Sequence, residues 1–194
     1  MAKKESTLFN MVVTLVVITT ISAASLGFMH QLTMEPKASA EKSKRNFAIK
    51  AVLPDYDNDP SNESYEIESH DGGEQLICYP AFNNGELVGI AVKTWTMKGY
   101  SGLIRLMVGF DKTGKIINIS VIEQKETPGL GTKILDAEFK NQYNGKNPVA
   151  NSLAMKKDGG TVDAITAATI SSRAFSEAVE RAYKSLEKAG KFEK

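Results

Sequence analysis

The chain has 194 residues, with 24 Lys and Arg against 23 Asp and Glu, a net charge of +1 and one cysteine, Cys78. That length suits one globular domain with additions, and the balanced charge leaves no electrostatic footprint for nucleic acid. A lone cysteine excludes an intrachain disulfide, a CxxC pair, a cysteine metal cage and an iron–sulfur ligand set.

Residues 1–7 form a short basic N-terminus with Lys3 and Lys4. Leu8 to Met29 then runs for 22 residues without a charged side chain. As a helix, that length spans the ~30 Å hydrocarbon core of a bilayer. Asn10, Thr14, Thr19, Thr20, Ser22 and Ser25 moderate its apolar character. Ser and Thr can bond back to helix carbonyls, while Ala23, Ala24 and Gly27 suit close packing on another membrane helix. Ala38-Ser39-Ala40 is an A-x-A arrangement, so a signal peptide competes with an anchor. The apolar run is longer than a signal h-region and stands about ten residues from that site, which predicts an uncleaved transmembrane helix. Basic residues lie on both sides of it; nearness to the membrane favours a cytoplasmic placement of residues 1–7, although the positive-inside rule does not decide the orientation.

Residues 30–50 read as a basic juxtamembrane linker, solvated, helical or close to anionic lipid headgroups, with Lys37, Lys42, Lys44, Arg45 and Lys50. Asp55 to Glu74 follows with eight acids and no Lys or Arg, and reads as a solvated surface segment. Asp59-Pro60 and Gly72-Gly73 mark loops there. His30 and His70 lack ligand spacing, so no metal site is expected.

Strand patterns begin at Leu76–Phe82, where Cys78 reads as a small buried hydrophobe. Asn83-Asn-Gly-Glu86 predicts a hairpin turn, and Leu87–Trp95 the return strand. Gly99-Tyr-Ser-Gly102 breaks the pattern. Leu103–Phe110 is a further strand, Asp111–Gly114 a turn, and Lys115–Ile122 the next strand, with Ile117, Ile119 and Val121 facing one way. The expectation is an antiparallel meander with one face buried. Lys133–Tyr143 reads as a helix and Ala150–Lys156 as a short strand. From Ser171 or Ser172 onward, Phe175, Ala178, Val179, Ala182, Tyr183 and Leu186 recur at helical spacing. Glu177 and Glu180 stand near the start of that helix, Lys184 and Lys188 near its end, and Gly190 stops it. The predicted class is α+β: an antiparallel sheet packed by helices over residues 51–194, preceded by one transmembrane helix.

Two segments carry chemistry. Asp163-Ala-Ile-Thr-Ala-Ala-Thr-Ile-Ser-Ser172 is a small, hydroxyl-rich run at a helix start. Such a start offers backbone N–H groups and hydroxyls to a phosphate, although Ser and Thr there are also ordinary caps. Glu126-Thr-Pro-Gly-Leu-Gly131 is a tight turn before the helix beginning at Lys133. The N–H groups of Gly129 to Thr132 suit an anion or ring pocket, and Leu130 suits a flat partner; a plain structured connector is the alternative.

The first segment resembles the flavinylation motif of the FMN-binding subunits RnfG and NqrC, and ETPGLG resembles a second signature of that family. Gly99-Tyr-Ser-Gly102 with Ile104, Val108, Gly109 and Phe110 is also similar to the family pattern, as are the anchor and Leu53-Pro54. The resemblance covers nearly the whole chain, and its length suits RnfG better than NqrC. It implies FMN joined through its phosphate to Thr169. Thr166, Ala168, Ser171, Ser172 and Asp163 would surround the attachment, and Glu126, Thr127, Gly129, Leu130, Gly131, Thr132 and Tyr100 would line the flavin. A flavin transferase using FAD and Mg²⁺ would make the attachment.

The family further implies an electron carrier in an Rnf complex moving electrons between ferredoxin and NAD⁺, coupled to Na⁺ or H⁺. The domain would be held on the extracytoplasmic side of the cytoplasmic membrane, beside the other Rnf subunits. No GxGxxG is present, in keeping with a carrier without its own NAD site. Position 167 departs from the pattern: the family has Gly there, and this chain has Ala. An NqrC-like quinone-reductase subunit and a cofactor-free, membrane-anchored binding module remain alternatives. A Ser or Thr hydrolase fits poorly, because no His or carboxylate is identifiably paired with these hydroxyls.

Overall fold

The structure is a computed structural model that describes residues 7–192. The basic positions Lys3 and Lys4 of the short N-terminus lie outside the described residues. The chain divides into two compact units, residues 1–43 and 44–194.

Helix α1, Leu8–Val52, is 45 residues long. Its first stretch exposes Leu8, Phe9, Leu15, Ile18, Ile21, Leu26 and Phe28. It is long and apolar enough to cross a membrane. The back-bonding anticipated for its hydroxyls occurs at Thr14, whose Oγ1 donates to Asn10 O at 2.8 Å, and at Thr19 and Thr33. The helix continues through the stretch read as a linker, with Pro36 inside it.

In the second unit the last turns of α1 bury Ala48, Ile49 and Val52. Five strands follow: β1 (Tyr65–Ile67), β2 (Leu76–Asn83), β3 (Glu86–Gly99), β4 (Gly102–Phe110) and β5 (Ile116–Gln124). They form one antiparallel sheet in sequence order. The β2–β3 hairpin closes through Asn84 (φ 52) and Gly85 (φ 81), the paired left-handed geometry that Asn-Gly favours.

The sheet is covered on both faces, which corrects the expectation of one buried face. One face packs Ile90, Val92, Leu106, Val108 and Ile119 against helix α3 (Thr169–Lys188). The other packs Tyr79, Ala81, Ala91 and Met107 against Ala48, Ile49, Val52 and Leu53. Gly109 permits that second packing, since a Cβ there would collide with the Val52 carbonyl oxygen. Two register shifts in the β4–β5 pairing flip parts of β5. Ile117 consequently packs on the second face with Ile122, so it does not align with Ile119 and Val121 as its alternation suggested.

Two further expectations are corrected. Residues 133–143 are not one helix. A 3₁₀ turn (Gly131–Leu135), a short α2 (Ala137–Lys140) and another 3₁₀ turn (Asn141–Tyr143) replace it. Asp136 interrupts them in extended conformation (φ −68, ψ 139). This broken path seats Ile134, Phe139 and Tyr143 in the core, where Phe139 and Tyr143 each lie 5.2 Å from the Phe175 ring. Residues 150–156 form no strand; only a parallel bridge joins Met155 to Val162. A 3₁₀ turn (Lys156–Asp158) and Gly159 at φ 82 send the chain back there.

Candidate functional site

Helix α3 begins at Thr169, two or three residues earlier than its apolar stripe suggests. The turn before it explains the difference. Ala167 adopts φ 61, left-handed backbone that an L-residue enters at a cost of about 1–2 kcal/mol. Ala168 caps the helix at φ −134, ψ 41 with no side-chain capping bond. Ser172 N–H is the first helix donor satisfied, by Ala168 O at 3.0 Å. The N–H groups of Thr169, Ile170 and Ser171 have no acceptor among the described residues, and neither does the Thr169 hydroxyl have a partner. With this earlier start the first turn holds no acid, so Glu177 does not offset the positive helix end as expected.

These groups face a cleft of about 440 Å³ lined by Tyr100, Glu126, Thr127, Leu130, Gly131 and residues 167–171. The two sequence motifs, some forty residues apart, thus share one cavity, within the size range of small-molecule sites. Leu130, Ile170 and Tyr100 give it an exposed apolar rim, at 43%, 51% and 69% exposure.

The loop over residues 126–132 holds itself rigid. Leu130 and Thr132 N–H donate to Thr127 O at 3.2 and 3.3 Å, and Gly129 N–H donates to Thr132 Oγ1 at 3.0 Å. Gly129 supplies the turn at φ 76. The expected row of free N–H groups from Gly129 to Thr132 is corrected accordingly: three of those donors serve the loop, and the loop offers the cleft its Leu130 side chain.

Glu126 is buried. Its Oε1 accepts from Ser101 N–H at 3.1 Å, and its Oε2 accepts from Ser171 Oγ at 2.5 Å. A Cβ on Gly99 or Gly131 would stand 2.5 Å from one or the other oxygen, so both glycines are required walls of its niche.

The remaining predicted residues lie off this cleft. Ser172 is fully buried; its Oγ accepts from Ile165 N–H and donates to Ala168 O, both at 3.0 Å, which locks the turn. Thr132 and Gly129 act within their loop. Thr166 and Asp163 line a second, smaller cleft with Lys133, Asp136 and Gln142. Asp163 is exposed and pairs with Lys156 at 2.6 Å. Arg173 reaches back from α3 to Asp158 at 2.7 Å, and this hydrogen bond holds the Asp158 carboxyl below its usual range. Among the described residues no cluster could hold a metal ion.

Sequence reasoning missed Ala167 and Ile170 as lining residues and Ser101 and Gly99 as supports. Ile170 carries a signal in the sequence, since it falls out of phase with the buried stripe of α3.

The donors present fit a phosphorylated, planar ligand. Three free N–H groups at a helix N-terminus suit a phosphate, and an apolar rim beside them suits a ring. Residues 99–184 match the FMN-binding domain, a class of site with these same needs. The chain is 35% identical over 178 residues to the G subunit of the ion-translocating oxidoreductase complex of Photorhabdus laumondii, covering 87% of this chain and 85% of that one. It is 30% identical over 194 residues to the G subunit of the Na⁺-translocating ferredoxin:NAD⁺ oxidoreductase complex of Acetobacterium woodii, covering 93% of each. The solved NqrC of Shewanella oneidensis aligns with a TM-score of 0.47 at 21% identity, covering 69% of this chain and 66% of that one. The match over residues 99–184 defines an FMN-binding domain, preceded in the sequence by a long apolar helix. The chain belongs to the RnfG family, the G subunits of ion-translocating oxidoreductase complexes.

Proposed function

We propose that this chain is an electron-carrier subunit of an Rnf-type complex and that FMN is joined through its phosphate to Thr169 Oγ1. The observation that supports this most strongly is the position of Thr169. It is the first residue of α3, half-exposed at the cleft, with a free hydroxyl and three free N–H groups beside it. A phosphodiester there keeps one negative charge, which the N–H groups and the positive helix end stabilise. Attachment by a transferase would form the bond from Thr169 Oγ1 to the FMN phosphorus of FAD, release AMP and free the hydroxyl proton.

When bound, FMN supplies a centre that accepts and gives electrons singly or in pairs. The chain's own residues would hold it there: Leu130, Ile170 and Tyr100 would form an apolar wall, and Thr127 and the loop backbone would supply polar contacts. The covalent tether keeps the group on the protein and holds it at high local concentration for its electron partners. Those partners would be the other subunits of a ferredoxin:NAD⁺ oxidoreductase, and residues 8–29 would anchor the domain on the extracytoplasmic side of the cytoplasmic membrane.

The test is co-expression with a flavin transferase, followed by intact mass and in-gel flavin fluorescence. Wild type should carry a denaturation-resistant FMN adduct that Thr169→Ala loses completely. An unmodified wild type, with the transferase active on a control protein, would overturn the reading.

A further inference from the structure

Among the described residues Glu126 is the one carboxylate lining the larger cleft, and it is only 4% exposed. Both of its oxygens are hydrogen-bonded, to Ser101 N–H at 3.1 Å and Ser171 Oγ at 2.5 Å, so a carboxylate here has a donor for each oxygen. Among the described residues it makes no ion pair with Lys or Arg. A buried carboxylate without a cation is costly unless hydrogen bonds and dipoles offset it. Here the offset comes from the two donors and from the N-terminus of the 20-residue α3, whose first turn contains no acid. Glycine at 99 and at 131 leaves room for the carboxylate, since a Cβ at either would stand 2.5 Å from it. The niche is built to hold a negative charge beside the cleft.

We infer that Glu126 is a positioning residue that also sets potential: its fixed charge lowers the reduction potential of the redox group held in the cleft. This deepens the proposed function and rests on it. Reduction brings negative charge into the cleft, and a buried carboxylate at its wall opposes that gain more strongly than an exposed one would. The same two hydrogen bonds tie the Gly99–Gly102 turn and the start of α3 to one side chain, so position and charge are coupled.

The test uses the full chain in detergent, flavinylated by co-expression, with stepwise reduction by dithionite in the presence of mediators. Glu126→Gln keeps the size of the side chain and removes its charge. Glu126→Asp keeps the charge. At the potential where wild type is half reduced, Glu126→Gln should shift the reduced-to-oxidised ratio at least tenfold toward reduced, about 30 mV for a two-electron couple. Glu126→Asp should stay within about threefold of wild type. Adduct mass on each protein is read first. Fully loaded Glu126→Gln at the wild-type potential would overturn the inference and leave the FMN site standing. A tenfold shift in Glu126→Asp would also overturn it, and this arm stands if Glu126→Gln does not fold. A wild type without adduct would overturn the FMN reading, and this inference with it.

Discussion

Thr166 and Thr169 are three residues apart in one hydroxyl-rich run, yet they line different clefts. The cleft at Thr169 is about 440 Å³, rimmed by Leu130, Ile170 and Tyr100, and backed by helix N–H groups without acceptors among the described residues. The cleft at Thr166 is about 210 Å³ and is lined by Lys133, Asp136, Glu138 and Asp163. Part of its backbone is committed: Asp163 N–H donates to Gln142 Oε1 at 2.7 Å, Asp163 O accepts from Gln142 Nε2 at 3.3 Å, and Ile165 N–H donates to Ser172 Oγ at 3.0 Å, while the N–H groups of Ala164 and Thr166 have no acceptor among the described residues but belong to no helix end. Ala167, at φ 61, is the point where the chain turns from one to the other. Residue type does not separate these two threonines. Placement at the start of α3 does, because only there does a hydroxyl meet an unsatisfied helix end.

Three perturbations sharpen the contrast. The largest effect is expected beneath the smaller cleft, where Phe139 is 4% exposed and packs on Tyr143 and Phe175. Phe139→Ala should cost about 3–5 kcal/mol in urea unfolding of the flavin-free protein. A loss under about 1 kcal/mol would mean that this aromatic cluster does not support the Thr166 side.

Farther along α3, Arg181 pairs with Asp71 of the loop between β1 and β2, and this ion pair serves neither cleft. Asp71 accepts from Ser69 Oγ at 2.5 Å and from Gly73 N–H at 3.2 Å, and pairs with Arg181 at 3.0 Å. The Ser69 hydrogen bond first, then Gly73 N–H and Arg181, outweigh desolvation and bring its carboxyl from 3.8 down to about 2. The folded value is depressed, so the stabilisation is present above the unfolded value near 4 and is lost as pH falls toward 2. Because this carboxylate is 37% exposed, solvent screening reduces the contribution to about 1 kcal/mol. Asp71→Asn should lose that amount at pH 7 and flatten the stability profile between pH 4 and 2. Equal slopes in both proteins would contradict it.

The smallest effect belongs to the switch itself. Ala167→Gly should raise stability by about 0.5–1 kcal/mol, the relief of left-handed strain less the entropy of glycine. Flavin loading should not change. A destabilised Ala167→Gly would show that the positive φ is not strained.

Much of this was legible in the sequence. The Asn-Gly hairpin, the run of strands and the helical stripe from Phe175 follow from local chemistry, and the two motifs meet in one cleft. What the sequence concealed depends on contacts distant in the chain. The second buried face of the sheet needs Ala48 and Ile49, which read locally as the end of a basic linker, and Val52 just beyond it. Ile117 changes face because a register shift breaks the alternation, and period-two counting cannot see a bulge. Residues 133–143 carry a helical composition, but their large side chains fill separate places in the core, and Asp136 breaks the path between them. The free N–H groups at Thr169 depend on a backbone angle at an alanine, a residue type that seldom adopts it.

Trypsin, cutting after Lys157 and Arg173, would release residues 158–173, a peptide that contains Thr166, Thr169, Ser171 and Ser172 together. Fragmentation of that peptide from flavinylated protein is the most direct test of why these hydroxyls differ. The expected result is the FMN phosphoryl mass on Thr169 alone, with Thr166→Ala modified like wild type. The mass on Thr166, or on either serine, would contradict it.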